Sequence, residues 1–270
     1  MRARRVIAMG LERLGLERPA LRALEWSQTV HTLPDMLFRS RHRGSDGLPL
    51  PPPILRVAVS GTPRSEVFLA QSHRAAEALR DALGRAGRDL EALDTVLDFG
   101  CGCGRIMRRW AGVSGPSFFG CDYNPKLIRW CREHLPFGQF DVNGLEPPLP
   151  YAEHQFDVVY AVSVFTHLTE PLQHEWMAEL RRVVKPSGLV LFTTRGDSWA
   201  WKLSPEERSR YDRGDLVIRY GDVPGTNLCA AFHPWRYVHE RLAAGFIVTE
   251  SLPAALTDGA QDIHIAERVA

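Results

Sequence analysis

The segment VLDFGCGCGR, residues 96–105, combines an acid with closely spaced glycines, a pattern suited to ligand binding. Asp98 ends an apolar run. Glycine and cysteine then alternate, as Gly100, Cys101, Gly102, Cys103 and Gly104. Glycine lets a backbone turn sharply and approach a ligand without a Cβ in the way. The segment is therefore a candidate ligand-binding turn.

Two further acids close the next apolar runs. Asp122 ends SFFGCD, and Asp141 ends FGQFD. In nucleotide-binding α/β folds, an acid about twenty residues after such a glycine turn accepts hydrogen bonds from the ribose hydroxyls. Three acids would repel phosphate, and the sequence lacks the Lys–Ser/Thr pair of a P-loop. The acids suit a nucleoside that carries a cation, and S-adenosylmethionine is such a ligand.

The glycine segment has two other interpretations, a dinucleotide site and a metal site. A dinucleotide fingerprint is G-x-G-x-x-G, and here the third glycine comes one residue early, so NAD is the less favoured ligand. Cys101 and Cys103 resemble half of a metal site, but a structural zinc needs four ligands, and Cys121 and Cys131 are not spaced to complete it. We expect no metal.

Short apolar runs and helical patterns alternate from about residue 92 to residue 194. The predicted strands are TVLDFG, SFFGCD, FGQFDV, FDVVYAVSVF and GLVLFTT, and RIMRRWAG is among the predicted helices. Such alternation predicts a parallel sheet with helices on both faces, and right-handed crossovers bring the strand ends to one edge. A late helix, PWRYVHERLAAG, precedes a closing strand pair, FIVTESLP and QDIHIAERV.

Residues 92–195 resemble the class I S-adenosylmethionine-dependent methyltransferases. The matching motifs are DFGCGCG, the acid of GCDYN, the block from NGLEPPLP to SVFTHLTE, and ELRRVVKPSG. SVFTHL and a late FHPWRYV…QD segment are similar to bacterial small-molecule enzymes. The resemblance implies an α/β, Rossmann-like class I methyltransferase fold: a mostly parallel seven-stranded sheet with helices on both faces. We expect an N-terminal helical extension over 1–60 and a methyltransferase domain over 61–270, with an insertion at 195–232.

The same resemblance assigns the methionine end of S-adenosylmethionine to the glycine turn. It implies that Asp98 and the backbone of Gly100, Cys101 and Gly102 hold this end. Asp122 would take the ribose hydroxyls.

The adenine side is assigned in the same way. Tyr123 would lie beside the adenine, or pack in the core. Asp141 and the Val142 amide would meet the adenine edge, with Asn143 adjacent; the alternative for Asp141 is to cap a turn. Ser163 would approach the methionine portion.

Two histidines are candidate catalytic residues. A hydroxyl acceptor needs a base to take its proton. His167, in SVFTHL, follows the fourth strand and is the leading candidate base, with support of the loop as the alternative. His233 precedes a helix, where it is a second candidate base, a helix cap or a pocket residue. Arg195, Trp199 and Trp201 follow the fifth strand, where they would wall an acceptor pocket or pack the insertion.

Composition and motifs restrict the classes of partner and the cellular location that we expect for the protein. A formal charge of +1 gives no global reason to expect nucleic acid. The sequence has no apolar run of membrane-spanning length. Five cysteines without a secretory signal predict reduced thiols in a cytoplasm. The lack of an Asn/Asp-Pro-Pro-Tyr motif argues against a DNA methyltransferase.

We therefore predict a cytoplasmic methyltransferase that uses S-adenosylmethionine to methylate a small-molecule acceptor, with O-methylation favoured over N- or C-methylation. The first alternative is an RNA or protein methyltransferase that holds an anionic partner with Arg39, Arg41 and Arg43, and RNA is the less favoured acceptor. The second is a binding protein without turnover. The N-terminal helices are a candidate contact for a homodimer.

Overall fold

The computed structural model describes residues 43–256 and 261–269. Residues 1–42, with most of the expected N-terminal extension and with Arg39 and Arg41, lie outside the described residues. The chain divides into two compact units, one ending at Phe68 and the other beginning at Leu69. In the first unit, the Arg56 guanidinium donates to the carbonyl of Pro51 at 2.6 Å. This hydrogen bond connects the helix that contains Arg56 to the segment before it.

The helix Pro53–Ser60 lies in the first unit and the helix Ser65–Arg85 begins there, whereas the other described helices and all the described strands lie in the second unit. The helices are α1 (Pro53–Ser60), α2 (Ser65–Arg85), α3 (Pro125–His134), α4 (Glu170–Val183), α5 (Pro205–Asp212) and α6 (Trp235–Tyr237), which continues as a π-helical turn over Val238–Leu242. The strands are β1 (Thr95–Phe99), β2 (Ser117–Asp122), β3 (Gly138–Val142), β4 (Phe156–Ala161), β5 (Val184–Thr194), β6 (Val217–Arg219), β7 (Ala230–Phe232), β8 (Phe246–Leu256) and β9 (Gln261–Arg268).

Seven strands form one sheet in the order β3-β2-β1-β4-β5-β9-β8. Strands β1 to β5 pair in parallel, and β9 runs antiparallel to both β5 and β8. The predicted mostly parallel seven-stranded sheet and its closing strand pair are confirmed. The chain order reverses between β1 and β4, the place where open α/β sheets bind ligands at the carboxyl ends of the strands.

Apolar strands buried between helices explain why this sheet forms. Leu97 and Phe99 of β1 lie in the main core, and the Phe99 ring packs 4.7 Å from that of Trp176 on α4. Helix α4 adds Leu180 and Val183 to the same core. These contacts fix the ends of β1 and β4, which carry the candidate site.

The helix predicted over RIMRRWAG is wrong in extent. The segment forms turns and a 3-10 helix, Met107–Trp110. Gly104 and Gly112 enclose it with φ angles of +71° and +87°. Seven residues between two left-handed glycines are too few to offset the cost of nucleating a regular α-helix.

The 195–232 segment, predicted as an insertion, contains a small folded layer. Helix α5 begins with a capping box, in which the Ser204 hydroxyl and the Glu207 carboxylate each accept from the other's backbone N–H. Strands β6 and β7 pair antiparallel. Tyr211 of α5 packs with the strands in a separate core.

One glycine outside the site gives a stability prediction. Gly115, at φ +114°, precedes β2, and a Cβ there would collide with the carbonyl oxygen of Glu91. Gly112 also has a positive φ, but a Cβ there meets nothing within 4 Å. We expect Gly115→Ala to lower the free energy of unfolding by about 2 kcal/mol more than Gly112→Ala, since only the former adds a backbone clash to the φ strain. Urea unfolding followed by circular dichroism measures both; equal losses would contradict the clash.

Candidate active site

The glycine turn folds back onto the end of β2. The backbone N–H groups of Gly100 and Cys101 both donate to the carbonyl of Cys121, at 2.8 and 2.9 Å. Gly100 and Gly102 have φ angles of +78° and +58°, which favour glycine. A Cβ on Gly100 would also collide with the Val164 side chain. The turn therefore needs glycine for its conformation and for close packing against the segment after β4.

Asp98, at the end of β1, is a buried carboxylate with one oxygen free. Only 2% of the residue is exposed, and Oδ2 has no hydrogen-bond partner among the described residues. Burial raises the pKa of Asp98 to about 8, and a hydrogen bond from the Tyr160 hydroxyl opposes the shift. The Trp110 indole N–H in turn donates to Tyr160 at 2.9 Å. A buried acceptor without a hydrogen bond is energetically costly. A ligand ammonium that donates to this oxygen would remove that cost.

Asp122 joins the end of β2 to the glycine turn. Its carboxylate accepts from the N–H of Gly102 at 3.0 Å and from that of Asn124 at 2.8 Å. Burial raises the pKa of Asp122, while these two hydrogen bonds lower it. A carboxylate has about four acceptor positions, so two are left for ligand hydroxyls.

The residues predicted for the adenine side follow β2 and β3. The Asp141 carboxylate pairs with the Arg132 guanidinium at 3.1 Å, and Val142 is 42% exposed. The Asn143 N–H donates to the carbonyl of Asp122 at 3.3 Å, which places Asn143 beside Asp122. The buried Asn143 Oδ1 has no partner among the described residues, so an acceptor is available for a ligand amine.

Tyr123 lies against the insertion. Its ring is 43% exposed, and its hydroxyl donates to the carbonyl of Gly225 at 2.9 Å. The Gly225 N–H donates to the carbonyl of His167 at 2.7 Å. The 221–229 loop is thereby fixed to the segments that follow β2 and β4. The sequence carried no signal for this contact.

Ser163, after β4, is held in an unusual conformation. Its φ is +63°, which is costly for a residue other than glycine. Its N–H donates to the Thr193 hydroxyl at 2.8 Å, and its own hydroxyl is hydrogen-bonded to the Gln261 amide at 2.9 Å. Gln261 also accepts from Thr193 at 2.6 Å. Sequence reasoning missed Gln261 as the residue that fixes Ser163.

His167 is hydrogen-bonded through both ring nitrogens. Nδ1 lies 2.7 Å from the carbonyl of Cys229, so it carries the proton and donates. Nε2 lies 3.3 Å from the Arg195 guanidinium and accepts. Burial, helped by the charge of Arg195, lowers the pKa of His167 to about 4. The predicted basic nitrogen thus faces a cation, and His167 would have to leave Arg195 before it could take a proton.

His233 is fully buried. Its Nε2 lies 3.1 Å from the amide oxygen of Gln173, and Nδ1 has no hydrogen-bond partner in the described part of the chain. Burial lowers its pKa well below the ordinary value. Its N–H donates to the carbonyl of Arg195 at 2.8 Å, which fixes the start of the insertion. In this conformation a substrate does not reach the imidazole.

Residues 43–256 and 261–269 contain no group of three or more metal-ligating side chains positioned to hold an ion. No helix described there combines the length and apolar character that a membrane crossing requires.

The strand order, with acids near the ends of β1, β2 and β3, is that of the class I methyltransferase fold. Residues 97–192 match the methyltransferase domain family. A solved structure of an S-adenosylmethionine-dependent methyltransferase from Mesorhizobium loti superposes with a TM-score of 0.54 at 15% identity, covering 71% of this chain and 98% of that one.

Two curated proteins show the range of relatives. The tRNA (carboxymethyluridine(34)-5-O)-methyltransferase of Arabidopsis thaliana is 35% identical over 116 residues, 42% of this chain and 26% of that protein. The trans-aconitate 2-methyltransferase of Escherichia coli O157:H7 is 27% identical over 217 residues, 73% of this chain and 81% of that protein. Against several other curated relatives the chain spans about a third to a half of their length.

Residues 97–192 carry the methyltransferase domain, and the chain has the fold of the class I S-adenosylmethionine-dependent methyltransferases. Its cofactor is S-adenosylmethionine, as the acids and glycines of the sequence predicted.

Proposed function

We propose that the protein transfers a methyl group from S-adenosylmethionine to an oxygen atom of a small-molecule acceptor. The observation that carries the proposal is the buried Asp98 oxygen, which has no partner within residues 43–256 and 261–269 and lies between the glycine turn and Tyr160. With Asp122 and Asn143 on the same sheet edge, it matches the ammonium, ribose and adenine of one ligand.

In this proposal, different residues at the carboxyl ends of the strands bind different parts of the cofactor. Asp98 holds the ammonium, and the backbone of Gly100, Cys101 and Gly102 surrounds the methionine end. Asp122 accepts from the ribose hydroxyls. A second set of residues, Tyr123, Asp141, Val142, Asn143 and Ser163, completes the adenine side and the methionine portion.

The chemistry that S-adenosylmethionine supplies is a methyl group already activated on a sulfonium. The protein then has mainly to align an acceptor oxygen with the methyl carbon. A neutral hydroxyl would need a base, yet Arg195 occupies the free lone pair of His167 and His233 is buried. An acceptor oxygen that is ionised before it binds needs no base, and the geometry favours that kind of acceptor.

The two curated relatives point to different acceptors, one small and one a tRNA. Trans-aconitate 2-methyltransferase, which resembles most of this chain, acts on a small anion. A second candidate acceptor is tRNA, favoured by the higher identity of the Arabidopsis thaliana relative over a shorter stretch. All five cysteines are buried and free, which supports the reducing cytoplasm as the location.

The first test is a calorimetric titration of the protein with S-adenosylhomocysteine and, separately, with NAD. We expect a dissociation constant in the micromolar range for S-adenosylhomocysteine and no heat from NAD. Methyl transfer from labelled S-adenosylmethionine to small acids, small alcohols and unfractionated tRNA then identifies the acceptor class. Tight NAD binding, or transfer to tRNA alone, would overturn the proposal.

A substitution at His167 tests its predicted role as a base. A general base contributes about 100-fold or more to kcat, and its loss removes the corresponding limb of the pH profile. Because Arg195 blocks Nε2, we expect His167→Asn to lower kcat by less than about tenfold and to leave the pH profile unchanged. Steady-state kinetics between pH 5 and pH 9 test this expectation. A loss of kcat above 100-fold in a folded variant would show that His167 is the base.

A further inference from the structure

Arg195 follows β5, and the partners of its guanidinium in the described part of the chain are all neutral. Nη1 donates to the carbonyl of Thr166 at 2.9 Å, and Nη2 donates to His167 Nε2 at 3.3 Å. The guanidinium carbon lies 5.3 Å from the centre of the Trp199 ring. A cation–π contact and two hydrogen bonds orient the side chain, but none of them supplies a negative charge.

The charge of Arg195 has no counter-ion among residues 43–256 and 261–269. Nε is buried and has no hydrogen-bond partner in that part of the chain. Burial lowers the pKa of Arg195 to about 10, so the guanidinium stays charged at neutral pH. Two other partly buried arginines have a carboxylate partner: Arg182 contacts Glu179, and Arg219 contacts Glu207. A desolvated cation without an anion is costly, so a ligand anion would relieve it.

The position of Arg195 separates it from the expected adenine side. Asp122 and Asp141 end β2 and β3, on one side of β1, whereas Arg195 follows β5 on the other side of β4. The segment after β4 lies between, since Val164 packs on Gly100 while Thr166 accepts from Arg195. An anion at Arg195 would therefore lie across that segment from the glycine turn, where an acceptor must approach.

We propose that Arg195 binds a carboxylate of the methyl acceptor, so that the acceptors of this protein are carboxylic acids. This inference rests on the proposed function. The guanidinium offers Nε–H and a neighbouring N–H as parallel donors, which match the two oxygens of a carboxylate. Trp199 beside the guanidinium gives the acceptor an aromatic wall.

The experiment compares wild type with Arg195→Gln, Arg195→Lys and Arg208→Gln. Arg208 pairs with Asp212 on α5 at 2.7 Å and is exposed, so its variant is a matched control for the lost charge. The probes are trans-aconitate, shorter dicarboxylates, neutral alcohols and a phosphate monoester. Initial rates with labelled S-adenosylmethionine give kcat and KM, and calorimetry gives the affinity for S-adenosylhomocysteine.

We expect methyl transfer to carboxylates and none to the alcohols. Arg195→Gln should raise the acceptor KM by about 50-fold and change kcat by less than about fivefold, because a charge-assisted pair is lost from binding. Arg195→Lys should recover part of the affinity, since it restores the charge without the paired donors. Arg208→Gln should behave as wild type.

Several results would overturn the inference. Transfer to alcohols or the phosphate monoester but not to acids would assign a different acceptor, and transfer to none of the probes would also count against it. An unchanged KM in Arg195→Gln would leave Arg195 without a role in binding. Weaker binding of S-adenosylhomocysteine to Arg195→Gln would mean that Arg195 holds the cofactor's own carboxylate. Wild type that does not bind S-adenosylhomocysteine contradicts the proposed function instead.

Discussion

Replacing Asp122 by alanine should weaken binding of S-adenosylhomocysteine by more than about 100-fold. The variant loses the acceptors for the ribose hydroxyls, and charge-assisted hydrogen bonds of this kind are each worth about 1.5–3 kcal/mol. It also frees the N–H of Gly102, which the carboxylate holds at 3.0 Å, so the glycine turn loses its link to β2. Calorimetric titration at pH 7.5 measures the effect.

Two companion variants separate ligand contact from support of the turn. Asp122→Asn keeps the side chain's size and one carbonyl oxygen, so we expect an intermediate loss of about tenfold. Asp212→Ala removes an exposed acid of α5 that pairs only with Arg208 in the described structure, and should change nothing. Thermal unfolding of all three shows whether they are folded. Near wild-type affinity in a folded Asp122→Ala would remove Asp122 from the cofactor site.

The sheet was predictable because its signals are local. Each buried parallel strand is an apolar run, and the acid or glycine that ends it stays visible in the sequence, as at Asp98, Asp122 and Asp141. Right-handed crossovers then determine which ends meet. The acids could therefore be placed on one edge without knowledge of any contact between them.

The acceptor side was not predictable to the same degree because its contacts join distant segments. Gly225 bridges Tyr123 and His167 only because the 221–229 loop folds back over the sheet edge. The partner of His167 Nε2, Arg195, follows a different strand. The residue type of His167 suggested a base. Whether its Nε2 is free to take a proton depends on that long-range contact with Arg195.

Binding of S-adenosylhomocysteine should become tighter as the pH rises from 6 to 8. The ligand's ammonium needs the ionised form of Asp98, and burial raises the pKa of Asp98 in the free protein to about 8. Below that pH most of the protein must first lose a proton, so affinity should rise by up to about tenfold per pH unit and level off above pH 8. Titrations from pH 6 to pH 9, corrected for buffer ionisation, measure the slope and the protons released.

The same group acts on stability with the opposite sign. The folded pKa of Asp98 lies above the ordinary value of 3.8. Between the two pKa values the folded state holds more protons than the unfolded state, so Asp98 makes the unliganded protein lose stability as pH rises. Asp98→Asn cannot ionise: it should bind the ligand weakly at every pH, and its unfolding should lack this part of the pH dependence. If wild type and Asp98→Asn show the same binding slope, another group carries the proton, and the free oxygen of Asp98 is not the ammonium site.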